Sequence, residues 1–581
     1  MRRTEDETES REIFSYNPDG YYSQYGRENV DKKMPSENET KERERQLKWK
    51  SIRKTIRQFL TDTTAHGVPR TVSAKSVYRR VFWICIIFIA LMMNLMHLSL
   101  LVTQYLRFPS EEVTKVQYGW VEFPSVTLCN IKAMSTTQKY DVMLRNTSSK
   151  FYVYTQKLKE FAYFLENNAT HIGSKELEKL KNLYEAMRTP EGYFTYIGPE
   201  EAKLAGQTAQ DMILSCKFNF MPCSWQNFTY YQHPTFYNCY TFNGKMTKDS
   251  LVTRTTGPMA GLSLIIYLEA DVNGILNGSY YKSSPVENAG GLRVVVHSPQ
   301  TRPAPVDSGV DVPPGYSTSA KVNVINMERL SAPVGNCTNQ VYQPKLPTFY
   351  YNRETCMLLC QQEYVMKKCG CQTSTLPTPL NIKSDYCGNG FNLTRLNEKY
   401  KCVMTALRDF ACNDTGRTQC YCNQRCLESV YRTDVSYSYW PLDYYQASFF
   451  NTYVRQNPNR NGLKAYKNLS NFTDDELIKG GHIRRNFLRF NIFMQELSVE
   501  QRREKQGYEL QNLFSDIGGT LGLWIGVSII TIIELIELLI KVVMKACGQI
   551  GNGSAELVRN EESQRGNCRN QDRAWHISFT N

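Results

Sequence analysis

Histidine is scarce in this chain, with seven in 581 residues. Four of them, His171, His233, His297 and His482, lie between two long apolar runs and do not cluster. Neither H-E-x-x-H nor G-x-S-x-G occurs. That removes the usual zinc-hydrolase and serine-hydrolase arrangements. A two-span ectoenzyme is the rival class, but no residue pattern supports it, so neither an enzyme nor a cofactor is expected. Internal repeats are absent. So is any basic-aromatic module of the kind that grips nucleic acid. The net charge of +13 reflects a basic flank beside the first apolar run and scattered lysines.

What the chain does have is two membrane-length apolar stretches. One is Val81–Leu106, VFWICIIFIALMMNLMHLSLLVTQYL; the other spans about Ile517–Ile540. A helix needs roughly 20 apolar residues to cross a bilayer. The first run begins 80 residues in and lacks a small-residue cleavage site, so it reads as a span and not as a signal peptide. Residues 41–80 are crowded with Lys and Arg, ending in Tyr78-Arg79-Arg80. The positive-inside rule puts that side in the cytosol. Two crossings return the C-terminus there, next to Lys541 and Lys545. The expected layout is a cytosolic segment 1–80, a first span 81–106, an outer segment 107–512, a second span 513–541 and a cytosolic tail 542–581. This is a multi-pass plasma-membrane protein in a lipid bilayer. Residues 1–45 and 550–581 are polar and expected to be disordered.

Cysteine usage agrees. Of 18 cysteines, 15 fall between Cys129 and Cys426, in the segment assigned to the outside. An oxidising compartment makes a disulfide framework the natural reading. The same segment carries nine N-x-S/T acceptors: Asn146, Asn168, Asn227, Asn277, Asn336, Asn392, Asn413, Asn468 and Asn471. Each alone is weak; together they are an independent check on the layout. Asn38 and Asn552 also fit but lie on the cytosolic side. Cys356 and Cys360 are four apart and share a helical face. With Cys420, Cys422 and Cys426 they suggest a nested ladder, Cys337–Cys426, Cys356–Cys422 and Cys360–Cys420. Zinc is the competing reading of C-x-C and C-x3-C; the lack of nearby histidine disfavours it, and no structural metal is expected. Fifteen is odd, so one outer cysteine should stay unpaired.

The outer segment mixes helix and strand, so the fold class is an α+β membrane protein. Lys157–Leu165 and Lys175–Arg188 read as helices, the latter with Leu177, Leu180, Leu183 and Tyr184 at helical spacing. Gly291–His297 and Asn486–Leu497 read as strands. In the second, Leu488, Phe490, Ile492 and Met494 face one way, and Arg489 and Asn491 the other.

The second apolar run, GGTLGLWIGVSIITIIELIELLIK, carries glycines near one end and glutamates near the other. Gly518, Gly522 and Gly526 recur every four residues. Helix packing alone would explain them, and an interfacial position would explain Glu537. A water-filled pore explains both features: glycines let several copies crowd a constriction, and carboxylates draw cations in below it. On a continuous helix Glu534 would lie about 12 Å beyond Gly526. One chain supplies one such helix, so a pore needs a cyclic oligomer.

Here the residues resemble a known family. Asp516-Ile517-Gly518-Gly519, Gly522-Leu523-Trp524-Ile525-Gly526-Val527-Ser528 and Glu534-Leu535 are similar to the pore helix of the epithelial sodium channel/degenerin family. His66-Gly67 resembles its cytosolic gating motif. Phe123–Asn130, Asn238–Asn243, Gly291–Val294 and the cysteine lattice match as well. The resemblance implies a trimer with a palm, β-ball, finger, thumb and knuckle ectodomain. It implies amiloride-sensitive conduction, with sodium as the permeant ion. Gly526, Val527 and Ser528 would form the selectivity filter, with Glu534 and Glu537 as pore carboxylates. Ser515, Asp516, His66 and Gly67 would serve gating. Val527 stands where many members have a smaller residue. Pairing as in the family adds Cys129–Cys239, Cys216–Cys223, Cys369–Cys402 and Cys371–Cys387, leaving Cys412 single.

The likeness is greatest to the invertebrate FMRFamide-gated channels. Acid-sensing relatives carry acidic residues after the cysteine matching Cys402; here the stretch is CVMTALRD, with one carboxylate, Asp409. The finger, about 140–235, is rich in aromatics. Its candidate contacts for an aromatic, arginine-bearing RFamide peptide are Phe151, Tyr154, Glu160, Phe161, Phe164, Tyr184 and Glu185. The bland reading of the rings is the finger's own core. Proton-gated, mechanically gated and constitutive channels are the alternatives within the family. An ATP-gated channel and a non-conducting receptor are more remote.

Overall fold

The computed structural model describes residues 37–135, 146–168, 170–244, 251–270, 289–380, 382, 384–412, 420–460 and 462–547. The expected C-terminal tail 550–581 and most of the expected N-terminal one lie outside these residues. Contacts divide the chain into two units, residues 1–103 with 510–581, and residues 104–509.

The first unit opens with α1 (Glu37–Asp62), α2 (Val68–Ser73) and α3 (Val77–Leu106). Helix thus begins within the stretch read as disordered. Glu37–Arg45, ENETKERER, is dense in good helix formers, a property that composition-based disorder reasoning discounts. α3 is uninterrupted and predominantly apolar from Val81 onward, long enough to cross a membrane.

The second unit starts with β1 (Ser110–Tyr118) and β2 (Ser125–Asn130). A helical lobe follows: α4 (Lys150–Asn167), α5 (Ser174–Met187) and α6 (Pro190–Ala205). Ser149 caps α4 by accepting from Tyr152 N at 3.1 Å. Thr189 caps α6 by accepting from Gly192 N at 3.2 Å, with Pro190 at the first helical position, the preferred arrangement of a helix start. Next come β3 (Ile213–Phe218), β4 (Met221–Cys223), β5 (Phe228–His233), β6 (Tyr237–Phe242), β7 (Leu262–Tyr267), β8 (Leu292–His297), β9 (Val310–Val312) and β10 (Tyr316–Glu328). Two helices, α7 (Arg353–Cys369) and α8 (Leu393–Cys412), precede β11 (Leu427–Tyr439) and β12 (Phe487–Gln506).

The larger sheet runs β11-β10-β12-β7-β3-β4, with β1 also on β12; the smaller runs β9-β8-β2-β6-β5. β10 and β12 pair in parallel, with a register shift between Val322 and Val324. One core, including Phe123, Leu128, Leu264, Val322, Phe490 and Ile492, joins residues of both sheets. On β12, Leu488, Phe490, Ile492 and Met494 are all buried and Arg489 is exposed. Asn491 is buried too, bonded to Ser263 Oγ at 2.7 Å. β12 continues nine residues past the expected Leu497. That half has no apolar alternation; its ladder joins charged neighbours, as in Arg503–Glu328 at 2.6 Å and Arg502–Glu112 at 3.5 Å.

Seven disulfides staple this unit. Cys129–Cys239 joins β2 to β6, and Cys216–Cys223 closes the β3–β4 hairpin. Cys356–Cys422 and Cys360–Cys420 tie one face of α7 to the extended segment before β11, and Cys337–Cys426 lies beside them. Cys369–Cys402 clamps α7 to α8, and Cys371–Cys387 closes the loop between them. Cys412 is free and exposed.

Returning to the first unit, α9 (Leu510–Ile525) and α10 (Ile529–Ala546) complete it. Together they meet the length and composition of a span, but they are bent by 77° at the break. The expected continuous helix is therefore two helices.

Candidate functional site

The break falls on Gly526-Val527-Ser528, and its chemistry explains the residue types. Gly526 takes φ of +65°, the left-handed region that glycine enters without a Cβ penalty. Its N–H still donates to Gly522 O at 3.1 Å, and Val527 N–H donates to Leu521 O at 3.2 Å. This satisfies carbonyls at the end of α9. Ser528 then starts α10 as its N-cap. Its Oγ accepts from Thr531 N at 3.4 Å, and its own N–H donates to Thr531 Oγ1 at 3.2 Å. G-x-S is thus a helix stop followed by a helix start. In apolar surroundings both are needed, since an uncapped backbone group costs several kcal/mol.

Residues 63–67 lie against this break. His66 N–H donates to Ile525 O at 3.1 Å. A Cβ added at Gly526 would stand 2.3 Å from the His66 ring. Gly67, with φ of +82°, turns the chain into α2. Two residues upstream of His66, Thr64 N–H donates to Glu534 Oε2 at 3.1 Å, and Thr63 Oγ1 donates to the same oxygen at 3.0 Å. Thr64 Oγ1 and Thr531 Oγ1 share a hydrogen bond of 2.8 Å. Thr63 and Thr531 are buried.

The carboxylates are therefore engaged within one chain. Glu534 is clasped by two threonines, and Glu537 pairs with Lys541 at 2.5 Å. The 12 Å spacing along a continuous helix does not apply, because Gly526–Ser528 interrupts it. Nor do the three glycines play one part. Gly518 and Gly522 lie in α9, where an added Cβ meets nothing within 4 Å, whereas Gly526 is the cap residue. Ser515 and Asp516 are exposed on α9. Thr63, Thr64 and Thr531 were missed by sequence reasoning; short hydroxyl side chains carry no periodic signal. Trp524, whose Nε1–H donates to His97 Nδ1 on α3 at 3.2 Å, was also missed as a contact.

In the second unit the candidate peptide contacts separate. Phe151, Tyr154, Phe161 and Tyr184 are buried in the core of the helical lobe. Tyr154 Oη donates to Met187 O at 2.9 Å, and burial pushes its pKa well up. Phe164 is exposed, Glu160 pairs with Lys157 at 2.6 Å, and Glu185 with Arg188 at 3.1 Å. The structure does not gather these seven into one site. What it forms instead is a recess of about 340 Å³ between the lobe and α8, lined by Tyr154, Leu183, Met187, Glu191, Val403 and Met404. Asp409, on α8, bonds Lys368 Nζ at 2.9 Å, which holds its carboxyl below the usual range.

Of the sequons, Asn146, Asn227, Asn336, Asn392 and Asn471 are exposed and Asn168 partly so. Asn277 and Asn413 lie outside the described residues.

A broken span, capped by G-x-S and backed by a His-Gly turn, is now in view. Residues 59–538 match the family described as "Amiloride-sensitive sodium channel". The chain belongs to that family. Its members are ion channels, not enzymes; sodium is the permeant ion, and this chain is a membrane channel with a disulfide-rich ectodomain. It is 31% identical over 540 residues to the FMRFamide-activated amiloride-sensitive sodium channel of Cornu aspersum, covering 84% of this chain and 83% of the other. It is 26% identical over 513 residues to degenerin-like protein asic-2 of Caenorhabditis elegans, covering 84% and 86%. It is 23% identical over 562 residues to the human epithelial sodium channel subunit alpha, covering 84% and 78%.

Proposed function

We propose that this chain forms a homotrimeric, amiloride-blocked sodium channel of the plasma membrane, opened from outside by an RFamide-type neuropeptide. The observation that carries the peptide reading is the 31% identity, spread over most of both chains, with the FMRFamide-activated relative. Two features favour it over proton gating. The one carboxylate in the stretch Cys402–Asp409, Asp409, is paired with Lys368, and among the described residues no second carboxylate is bonded to it to share a proton. The recess between the helical lobe, read as the finger, and α8, read as the thumb, is mostly apolar with Glu191 in its lining. An aromatic side chain and a guanidinium are its natural complement.

In this reading both termini are cytosolic, and residues 107–512 lie outside. Three copies of Gly526–Ser528 encircle the ion, and Gly518 and Gly522 face neighbouring copies. His66-Gly67 and the Thr63–Thr64 clasp on Glu534 hold the break in place from the cytosolic side, where Glu537 also lies. Ser515 and Asp516 sit at the outer mouth. Current recorded from expressed channels tests this. RFamide peptide should evoke sodium current that amiloride blocks. Silence to such peptides with robust current on acidification overturns the peptide assignment.

A further inference from the structure

α3 is mostly apolar and mostly exposed, and its one buried residue is polar. Asn94 is 4% exposed. Its Oδ1 has no hydrogen-bond partner among the described residues. Hydrocarbon offers no water to such an oxygen, so the group bears its full desolvation cost. A polar residue kept inside a span at that cost is a candidate for function.

Asn94 and His97 are three apart, so they share a face of α3. That face meets α9: Trp524 Nε1–H donates to His97 Nδ1 at 3.2 Å, and the two rings lie edge to face, 5.6 Å apart. Nearer the start of α3, Ile87 backs the His-Gly turn; a Cβ added at Gly67 would stand 3.1 Å from its Cγ1. Asn94 thus lies along α3 between the Trp524 contact and the turn that supports Gly526. Trp524 has one N–H, and this face offers it two acceptors. They are separated by three residues' rise, about 4.5 Å. In the proposed topology α3 and α9 run in opposite directions. A slide of α9 toward its own C-terminus therefore carries Trp524 from the level of His97 to that of Asn94. Each register satisfies one acceptor and leaves the other bare, so the two are close in energy. Packed helices move between such discrete arrangements and not through a continuum.

We infer that Asn94 is a gating residue: it is the second seat of the Trp524 N–H, taken when α9 shifts along α3 between the closed and conducting states. His97 holds the register seen here. Trp524 is two residues before Gly526, so the shift passes directly to the Gly526–Ser528 break and to the His66 N–H that donates to Ile525 O at 3.1 Å. The inference rests on the proposed topology, in which both helices lie in one bilayer.

The test uses the full-length channel, purified and reconstituted in planar bilayers. The gating equilibrium is read from single-channel openings, first without ligand and then against RFamide peptide concentration. Asn94→Leu removes the second seat and favours the His97 register; His97→Leu does the reverse. The two should move the equilibrium in opposite directions, each by about fivefold, the worth of one hydrogen bond. His97→Asn keeps an acceptor at that place and should recover most of the shift. Asn94→Ala, made alongside, separates the lost acceptor from the bulk of leucine and should shift the same way as Asn94→Leu. In Trp524→Phe the donor is gone, so adding Asn94→Leu or His97→Leu should change nothing further. A merely structural role for Asn94 does not depend on Trp524. Shifts in the same direction, or none, overturn the proposal. So does an Asn94→Leu effect that survives in Trp524→Phe, since the acceptor would then serve a water or a donor from a neighbouring copy. Silence to peptide is a failure of the peptide reading alone, because the ligand-free openings still carry the comparison.

Discussion

The two units of the chain hold their shape by different means. Residues 104–509 carry seven disulfides, each worth typically 2–4 kcal/mol, over cores that contain Phe490, Leu264 and Tyr154. The described residues of the other unit contain none, and Cys85 and Cys547 there are free. Its internal order rests on caps and hydroxyl–carboxylate hydrogen bonds. Individually these contribute about 1–3 kcal/mol. The difference shows where a two-state element fits. A covalent lattice resists rearrangement, whereas a break held by Gly526, Ser528, Thr63 and Thr64 can exchange one set of modest contacts for another. A ligand can move an equilibrium only by its differential affinity for the two states, so a device switched by a few kcal/mol belongs in the second kind of structure.

The comparison breaks first if the staples do not matter. Cys129–Cys239 closes the longest loop, with a sequence separation of 110. Replacing both by serine should cost roughly 4–5 kcal/mol on the chain-entropy account. Thermal unfolding of the purified channel should shift down by several degrees, and surface delivery should fall. An unchanged unfolding temperature would mean that the β2–β6 pairing suffices without its bridge.

A smaller effect should mark the same unit in acid. His297 is half-buried, with Nε2 2.9 Å from Thr127 Oγ1 and Nδ1 3.0 Å from Thr301 Oγ1. Burial lowers its pKa to about 4, and burial with the nearby Arg302 lowers that of His233 to about 3. Above pH about 6.5 neither folded nor unfolded chain protonates these rings, and their stability is fully present. As pH falls towards 4 the unfolded chain takes up the proton while the folded ring resists it. For His297 the loss is on the order of 3 kcal/mol. His297→Asn should flatten part of the acid limb of a stability-against-pH curve, leaving the share due to His233. An acid limb of unchanged slope would show that the ring is not kept neutral by its surroundings.

How much of this was legible in the sequence also follows the division. The stapled unit announced itself: alternation on Leu488, Phe490, Ile492 and Met494 gives a strand, and helical spacing of Leu183 and Tyr184 gives a helix. Its polar extension, β12 beyond Leu497, did not, because a charged ladder has no apolar period. In the membrane unit, glycines, glutamates and the His-Gly pair marked a site, but not its shape. A 77° bend within an unbroken apolar run leaves hydropathy unchanged. The clasp of Thr63 and Thr64 on Glu534 joins residues 470 and more positions apart, a distance no local pattern reports. The aromatic residues of the helical lobe illustrate the converse. Phe151 and Tyr184 look like ligand contacts in composition and are core in the fold, because stacking rings serve both ends equally well.

The finest test lies within the break. Ser528→Ala removes the hydroxyl that accepts from Thr531 N, a cap worth about 1 kcal/mol. Gly526→Ala adds a Cβ where φ is +65°, about 1–2 kcal/mol of backbone strain, and sets it 2.3 Å from the His66 ring. Thr103→Ala in α3 is the control, because its hydroxyl bonds back to Ser99 O at 2.6 Å and caps nothing; it should change little. Conductance, sodium-to-potassium discrimination and the peptide concentration for half-activation would be measured for all three. Ser528→Thr should keep the cap and Ser528→Ala should shift half-activation by about fivefold. The Gly526 change should be larger, and be partly relieved by His66→Ala, which removes the steric part and leaves the strain. Were Gly526→Ala to gate and discriminate like Thr103→Ala, the break would be incidental, and the two membrane segments would differ in shape without differing in function.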